Sequence, residues 1–426
     1  MLKKIKNTFF SEYVKNITTL ATGTFFAQFI TFLFLIIISR IYTTEEFGLY
    51  STFLSISSSL AILSTLTYER AIVLPKKIIE ATSLVILSSL LCFLTALSIL
   101  ILMFIFSDFF INYFGGYRFI IFLLPLRILQ LGLQQIFDEL SIRNKFYLSL
   151  SLLRSSNSLF VSFLQIISRL IYKLDGLIIG KFIGDLIVLI ILLLIHLKKR
   201  TIYFKKITYS SFKKVAKKHI FFPKFYLPQI SFNTISLNLP FVLFPYFYSL
   251  EIAGLYGMAI RVLEQPIRLI ATSTQSVYYQ KASQMFVNKN DIFDLYINTT
   301  KGLLKIFIIP SIIVFIFGPQ IFTLLFGEQW FESGVIARIL IVWLIFGFIK
   351  TPTVMTFSIL SLQKVQMYGE FLLLLLRIIA IALGYYLFDS YFWSIIFFII
   401  PSIVIDIFFI VYIYNYLKNQ RWKINH

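Results

Sequence analysis

Long apolar runs, one after another with few charges inside them, constrain this chain more than any other feature. Each is about as long as the roughly twenty residues that an α-helix needs to cross the hydrocarbon of a bilayer. The first runs without a charge from Asn16 to Ser39, between Lys15 and Arg40. It is too long for a signal-peptide core and lacks a small-residue cleavage site, so it reads as a span. Further spans are expected at about 47–66, 82–106, 118–137, 147–168 and 176–197, then at 224–247, 253–277, 303–326, 334–359, 367–388 and 391–416. The segment at 224–247 is the weakest, because Pro223, Pro228, Pro240 and Pro245 punctuate it. Backbone groups cannot hydrogen-bond to lipid, so these spans should be helices. Composition agrees: 58% of the residues are hydrophobic and 14% charged, where a water-soluble domain carries about a quarter charged. An all-α integral membrane protein of about twelve transmembrane helices is the expectation.

The net charge of +20 would, in a soluble protein, raise nucleic acid as a partner. Its placement argues against that. With the N-terminus in the cytoplasm, the inner segments hold Lys3, Lys4, Lys6 and Lys15, then Arg70, Lys76, Lys77, Arg143 and Lys145. Nine more basic residues lie between Lys198 and Lys218, and Lys281, Lys289, Lys301, Lys364, Lys418, Arg421 and Lys423 follow. The outer segments hold Arg40, Arg118, Arg169 and Lys173. Such a bias is the positive-inside rule at work, and moving the count by one helix would destroy it. Both termini are therefore expected in the cytoplasm, with attraction to anionic membrane lipids as a secondary effect.

The chain also repeats itself. Tyr42-Thr-Thr-Glu45-Glu-Phe-Gly48-Leu49-Tyr50 aligns with Tyr248-Ser-Leu-Glu251-Ile-Ala-Gly254-Leu255-Tyr256 at a constant offset of 206. Phe110-Ile-Asn-Tyr-Phe114-Gly115 aligns with Phe322-Thr-Leu-Leu-Phe326-Gly327, and Arg127-Ile-Leu and Arg338-Ile-Leu follow at matching places. Two matches in one order at nearly one offset point to an internal duplication. The expected organisation is an N-terminal six-helix lobe at 1–197, a basic cytoplasmic linker at 198–222 and a C-terminal six-helix lobe at 223–426. Six spans return the chain to its starting side, so the halves share one orientation about an axis along the membrane normal. That arrangement places a substrate path between two rocking bundles.

Charges inside the spans carry the functional argument, since each costs roughly 2.5–3.5 kcal/mol on insertion scales. Arg127, Arg154, Lys181, Arg261, Arg268, Arg338, Lys350 and Arg377 lie at expected membrane depth, against Asp185, Glu264, Glu370 and Asp406. Four cations are thus expected to lack a partner, and a water-filled cavity or an anionic ligand should stabilise them. Arg127, Arg261, Arg268, Arg338, Lys350 and Arg377 are the candidates to line a cationic, substrate-binding path. Glu264, Asp185 and Asp406 are the candidates to take a coupling ion. Arg261, Glu264 and Arg268 share one helical face, with Pro266 expected to loosen the backbone among them. They form either a groove for phosphate or a network that merely holds helices together. Arg127 and Arg338 either clamp one anionic head group or snorkel, each near its own surface. Lys181 and Asp185, four apart, are expected to pair, and Trp330 and Trp393 to anchor span ends at the membrane interface.

Searches for chemistry find little. Gly176-Leu-Ile-Ile-Gly180-Lys181 imitates a phosphate-binding loop with one residue too few and no hydroxyl residue after the lysine. His196, His219 and His426 are scattered and Cys92 is the sole cysteine, so no metal site, disulfide framework or catalytic residue is expected.

Several of these stretches resemble one family. Leu20-Ala-Thr-Gly23-Thr-Phe-Phe-Ala27-Gln28, then Ser39-Arg40-Ile-Tyr42 through Tyr50, and Tyr68-Glu69-Arg70 through Lys76, are similar to the opening of Wzx-type polysaccharide flippases. Gly254 through Arg261 with Pro266, and Phe326-Gly327-Glu-Gln-Trp330, resemble their second half. These belong to the MATE-like multidrug/oligosaccharidyl-lipid/polysaccharide exporter superfamily. The resemblance implies a V-shaped, MATE-like fold of two six-helix lobes in the bacterial inner membrane. It implies a transporter, not an enzyme, that moves undecaprenyl-pyrophosphate-linked oligosaccharide for O-antigen or other lipopolysaccharide and surface-glycan biosynthesis. No cofactor is implied beyond a coupling Na+ or H+, and the partners implied are membrane lipids, the glycan polymerase and assembly proteins, around a monomer. Two alternatives stand beside it. A MATE-like exporter of small cationic molecules would have an acidic lumen, and a membrane polysaccharide polymerase or ligase would have a large outer loop with paired catalytic residues.

Overall fold

The structure is a computed structural model describing residues 28–172, 176–201 and 209–425. The chain is an all-α integral membrane protein. Its helices are α1 (Gln28–Ile41), α2 (Thr44–Ser64), α3 (Ile78–Ile105), α4 (Ser107–Tyr113), α5 (Ile120–Arg143), α6 (Tyr147–Tyr172), α7 (Gly176–Lys198) and α8 (Tyr209–Lys218). Then come α9 (Leu227–Phe247), α10 (Leu250–Val287), α11 (Phe293–Phe326), α12 (Phe331–Ile349), α13 (Thr351–Ile359), α14 (Gln363–Phe388) and α15 (Tyr391–Asn425).

Among the described residues, ten helical segments are long and apolar enough to cross a bilayer. Two of the twelve expected spans fall outside that set, for different reasons. Half of the first lies before Gln28, outside the described residues, as do Lys3, Lys4, Lys6, Lys15 and most of the Leu20–Gln28 motif. The eighth is α10, a continuous helix of 38 residues, whose Arg261, Glu264, Arg268 and Lys281 dilute its apolar character. Pro266 sits inside α10 without ending it. At the prolines of the seventh span the helix type changes instead: a π-helical turn over Phe222–Tyr226 leads into α9, which carries Pro240 and Pro245 within it.

Two compact units result. Of the described residues, the first takes in those within 28–42, 60–111 and 118–224, and the second those within 43–59, 112–117 and 225–425. The first unit closes around Tyr68, Ile72, Leu84, Ile136, Leu140, Val188 and Leu192. Val215 of α8 joins this cluster, the Tyr68 hydroxyl donates to the Ala216 carbonyl at 3.2 Å, and Lys218 pairs with Glu80. The described part of the basic segment is therefore docked on the first unit. The second unit closes around Tyr278, Tyr296, Phe357, Leu373, Ile405 and Phe409. Outside each core the helices present large apolar side chains such as Ile105, Leu170 and Leu324, the surface that lipid solvates.

The sequence repeat has a structural counterpart inside the second unit. A Cβ on Gly48 would overlap the carbonyl of Leu250, and one on Gly254 would overlap the carbonyl of Thr44. Thr44 and Leu250, like Gly48 and Gly254, stand 206 residues apart. The N-terminal turns of α2 and α10 thus cross reciprocally, each repeat's glycine admitting the other's backbone. Gly115 and Gly327, the second matched pair, both adopt positive φ, 64° and 111°.

Trp330 departs from expectation. It is fully buried and meets Phe47 edge-on, ring centroids 4.9 Å apart, so it packs a core and anchors no interface.

Candidate functional site

Among the described residues, the buried candidates gather chiefly in two clusters, one within each unit. In the first unit, α5, α6 and α7 converge on Asp185. Its carboxylate accepts from Arg127 at 2.6 Å, from Lys181 at 3.0 Å and from the Asn157 amide at 2.6 Å. Arg127 also donates to the Gln130 side chain at 2.6 Å, whose amide donates to the Phe182 carbonyl at 2.9 Å. The i,i+4 spacing that joins Lys181 to Asp185 within α7 was readable from sequence. The Arg127 bond was not, because it depends on how α5 and α7 are rotated against each other. Asp185 is thus shared among three donors. Arg127 and Asp185 are 3% and 2% exposed, and two cations face one carboxylate. Two buried atoms are left over: Arg127 Nε and Asn157 Oδ1 have no hydrogen-bond partner.

In the second unit the charges are matched. Lys350 sits at the joint between α12 and α13 and pairs with Asp406 of α15. Arg377 of α14 is 2% exposed; its Nε donates to Ser402 at 2.9 Å and a terminal nitrogen to Ser236 at 2.8 Å. The guanidinium lies 5.1 Å and 4.5 Å from the ring centroids of Trp343 and Phe398, in cation–π range. Glu370, also buried, accepts from the Asn233 amide at 3.0 Å. Two cations and two carboxylates leave this region neutral.

The remaining candidates stand apart from both clusters. Arg261 donates to the Tyr50 hydroxyl at 3.1 Å and lies over that ring. Glu264 and Arg268 approach only to 3.9 Å, with the Arg268 side chain 80% exposed. Arg338 donates to the Ile316 carbonyl. The geometry therefore distributes the six candidate cations over several environments and brings Lys350, Arg377 and Asp406 into one.

The expected surplus of four unpartnered cations needs correction. Arg154 is paired with Asp138 at 2.7 Å, and Glu139 receives Arg70 at 2.7 Å. Both acids lie in the last turns of α5, beyond the span end read at 137, because the helix runs on to Arg143. The acid at the end of α5 thus absorbs one cation, Arg154, that the sequence count left alone. Nearby, burial pushes the Glu69 carboxyl above its ordinary range, opposed by the bond it accepts from the Thr65 hydroxyl at 2.6 Å. His196, read as isolated, is buried between Ser141 and Thr201, each at 2.9 Å. Among the described residues no cluster of ligating side chains is arranged to hold a metal.

The family of this chain follows from comparison. A model of the polysaccharide biosynthesis protein family matches residues 13–286. The chain belongs to this family. Among curated proteins no significant match is found. Solved structures agree on the fold. A lipid II flippase, MurJ, in an inward closed conformation superimposes with a TM-score of 0.75 at 15% identity, over 93% of this chain and 87% of that one. An inward-facing multidrug resistance MATE-family transporter of the MOP superfamily gives 0.67 at 14% identity, over 92% and 96%. A MOP-superfamily transporter from Pyrococcus furiosus gives 0.56 at 15%, over 94% of both chains. This member of the polysaccharide biosynthesis family therefore has the MATE-like fold of about twelve helices.

Proposed function

We propose that the chain is a flippase that carries undecaprenyl-pyrophosphate-linked oligosaccharide from the cytoplasmic to the outer leaflet of the bacterial inner membrane, by alternating access. The observation that carries this reading is the buried cluster of Arg127, Lys181 and Asp185, in a chain of the polysaccharide biosynthesis family. Its net positive charge within the membrane suits a pyrophosphate, since an uncompensated charge there is costly without a counter-ion. The fold supports it: one solved neighbour is a lipid II flippase and another a multidrug transporter, so a substrate that crosses between leaflets is within the reach of this architecture. On this reading the chain is a transporter and catalyses no covalent step, and Arg261, Arg268 and Arg338 serve as further cationic stations. Coupling is assigned to Na+ or H+. Asp185 and Asp406 each already hold a lysine or arginine, which leaves Glu264 as the candidate without a close ion pair.

Export of small cationic molecules, the reading closest to the multidrug neighbours, is disfavoured by the sign of the charge. Deletion of the gene should abolish surface polysaccharide and leave lipid-linked oligosaccharide on the cytoplasmic face, and re-expression should restore the polysaccharide and clear the accumulated intermediate. Normal surface glycan in the deletion strain, with a cationic dye retained instead, would overturn the flippase reading. Orientation is checked separately with alkaline phosphatase fusions, inactive at Asn419 and active at Ser390.

A further inference from the structure

A cavity of about 560 Å³ opens within the first unit, a size that takes a small ligand. Its walls are α1, α6 and α7, through Phe34, Leu153, Phe160, Phe163, Ile187 and Ile191 among others, and the polar groups reaching it come from Ser156 and Asn157. An apolar trough at membrane depth is filled by hydrocarbon, because water gains no hydrogen bonds there. One wall residue makes this trough more than a lipid-facing dent. Asn157 belongs both to the trough and to the charged cluster, donating to Asp185.

The cluster is unfinished in a particular way. Lys181 spends one of its three N–H donors on Asp185 and its side chain is 26% exposed, so two donors remain. Arg127 Nε is a buried donor without an acceptor, and Asn157 Oδ1 a buried acceptor without a donor. Unmet buried groups of this kind are costly, and the cluster keeps one uncompensated positive charge. An occupant that completes it brings several anionic acceptors, at least one hydroxyl donor and a long apolar chain. A polyprenyl chain ending in phosphate and a first sugar has all three.

We infer that this trough is a binding site for the lipid carrier: the polyprenyl tail lies along α1, α6 and α7, and the phosphate end meets Lys181 and Arg127. This deepens the flippase reading and rests on it for the identity of the lipid. It assigns to the first unit a hold on the carrier, with Phe160 and Ile191 as tail contacts and Asn157 as the residue that joins the two parts.

The test uses the purified full-length protein in nanodiscs and a polyprenyl monophosphate bearing a diazirine in its chain. Photolabelled peptides are mapped by mass spectrometry, in competition with unlabelled polyprenyl phosphate or with phosphatidylglycerol. Label is expected on peptides from α6 and α7, reduced at least tenfold by polyprenyl phosphate and less than twofold by an equal amount of phosphatidylglycerol. Ile191→Trp, which fills the trough, and Lys181→Gln should each lower labelling at least fivefold. Lys181→Arg should retain it, and unchanged thermal unfolding certifies that the variants are folded. Label confined to other helices, equal competition by phosphatidylglycerol, or labelling indifferent to both variants would each overturn the inference. The gene-deletion assay separates this from the function itself. Restored surface glycan without trough labelling sinks the site and spares the flippase, whereas trough labelling without glycan export does the reverse.

Discussion

The two buried charged regions are built from the same residue types and reach opposite balances. In the second unit, Lys350 and Arg377 are set against Asp406 and Glu370, and the Arg377 nitrogens that bond do so to serines. In the first, Arg127 and Lys181 share Asp185 alone, and two polar atoms stay unbonded. A balanced buried pair is weak evidence of added stability, because desolvation offsets most of the attraction, yet breaking it is expensive. An unbalanced cluster is not closed in this way, and something else must supply the missing charge. The comparison teaches that buried charge in a membrane protein divides into groups that finish each other and groups that wait for a ligand.

The largest effect should come from opening the balanced region. Lys350→Met leaves Asp406 buried without its cation and should cost about 3–5 kcal/mol, the usual range for orphaning one member of a buried pair. Thermal unfolding in detergent would read this, and adding Asp406→Leu should recover most of the loss. A double variant as unstable as the single would break the comparison.

Arg377→Leu comes next. It leaves the Ser236 hydroxyl without the guanidinium it accepts from, removes the bond to Ser402 and vacates the face between Trp343 and Phe398. A loss of about 2–4 kcal/mol is expected from the lost bonds and packing. Surface glycan should fall only in proportion to protein abundance, as measured by immunoblot.

Lys181→Gln sharpens the contrast from the other side. It removes the surplus charge of the first cluster while Arg127 keeps Asp185 paired, so abundance and unfolding temperature should change little. Glycan export should nevertheless drop at least fivefold. Equal losses of export and abundance would place this cluster with the balanced one.

The smallest effect concerns a carboxyl outside both regions. Glu69 has a folded-state pKa raised by burial, so the folded protein binds its proton more tightly than the unfolded chain. Its contribution to stability is present below the unfolded value near 4.5 and is lost as pH rises through the raised one. Glu69→Gln should therefore flatten the decline in stability over that window, an effect on the order of 1 kcal/mol. Chemical unfolding followed at a series of pH values would read it. An unchanged profile would show that Glu69 is not its source.

How much of this could be read beforehand depends on the reach of each interaction. The spans were legible because lipid imposes one requirement, an apolar helix of fixed length, and every stretch such as 82–106 or 391–416 meets it locally. The α10 helix was legible despite its charges, because a run of apolar residues and the repeat both pass through it. Lys181 and Asp185 were legible as neighbours on one helix. The pairings of Arg127 with Asp185 and of Lys350 with Asp406 were not, since residues 58 and 56 apart meet only once helix rotations are set. Asp138 escaped notice because a span end drawn a residue early put it in water. Trp330 misled because aromatic rings at span ends serve cores and interfaces alike.

The reciprocal crossing at Gly48 and Gly254 carries a consequence of another kind. A residue that touches the counterpart of its own neighbour is the mark of an isologous dimer interface, where each patch faces its own copy. Here both copies sit in one polypeptide, as they would after the gene for one half of a self-associating pair was doubled and fused. Such a contact restrains sequence drift pairwise. A bulkier residue at one glycine presses on the carbonyl beside the other, so relief has to come from the opposite repeat. At this crossing the two repeats are not free to differ independently.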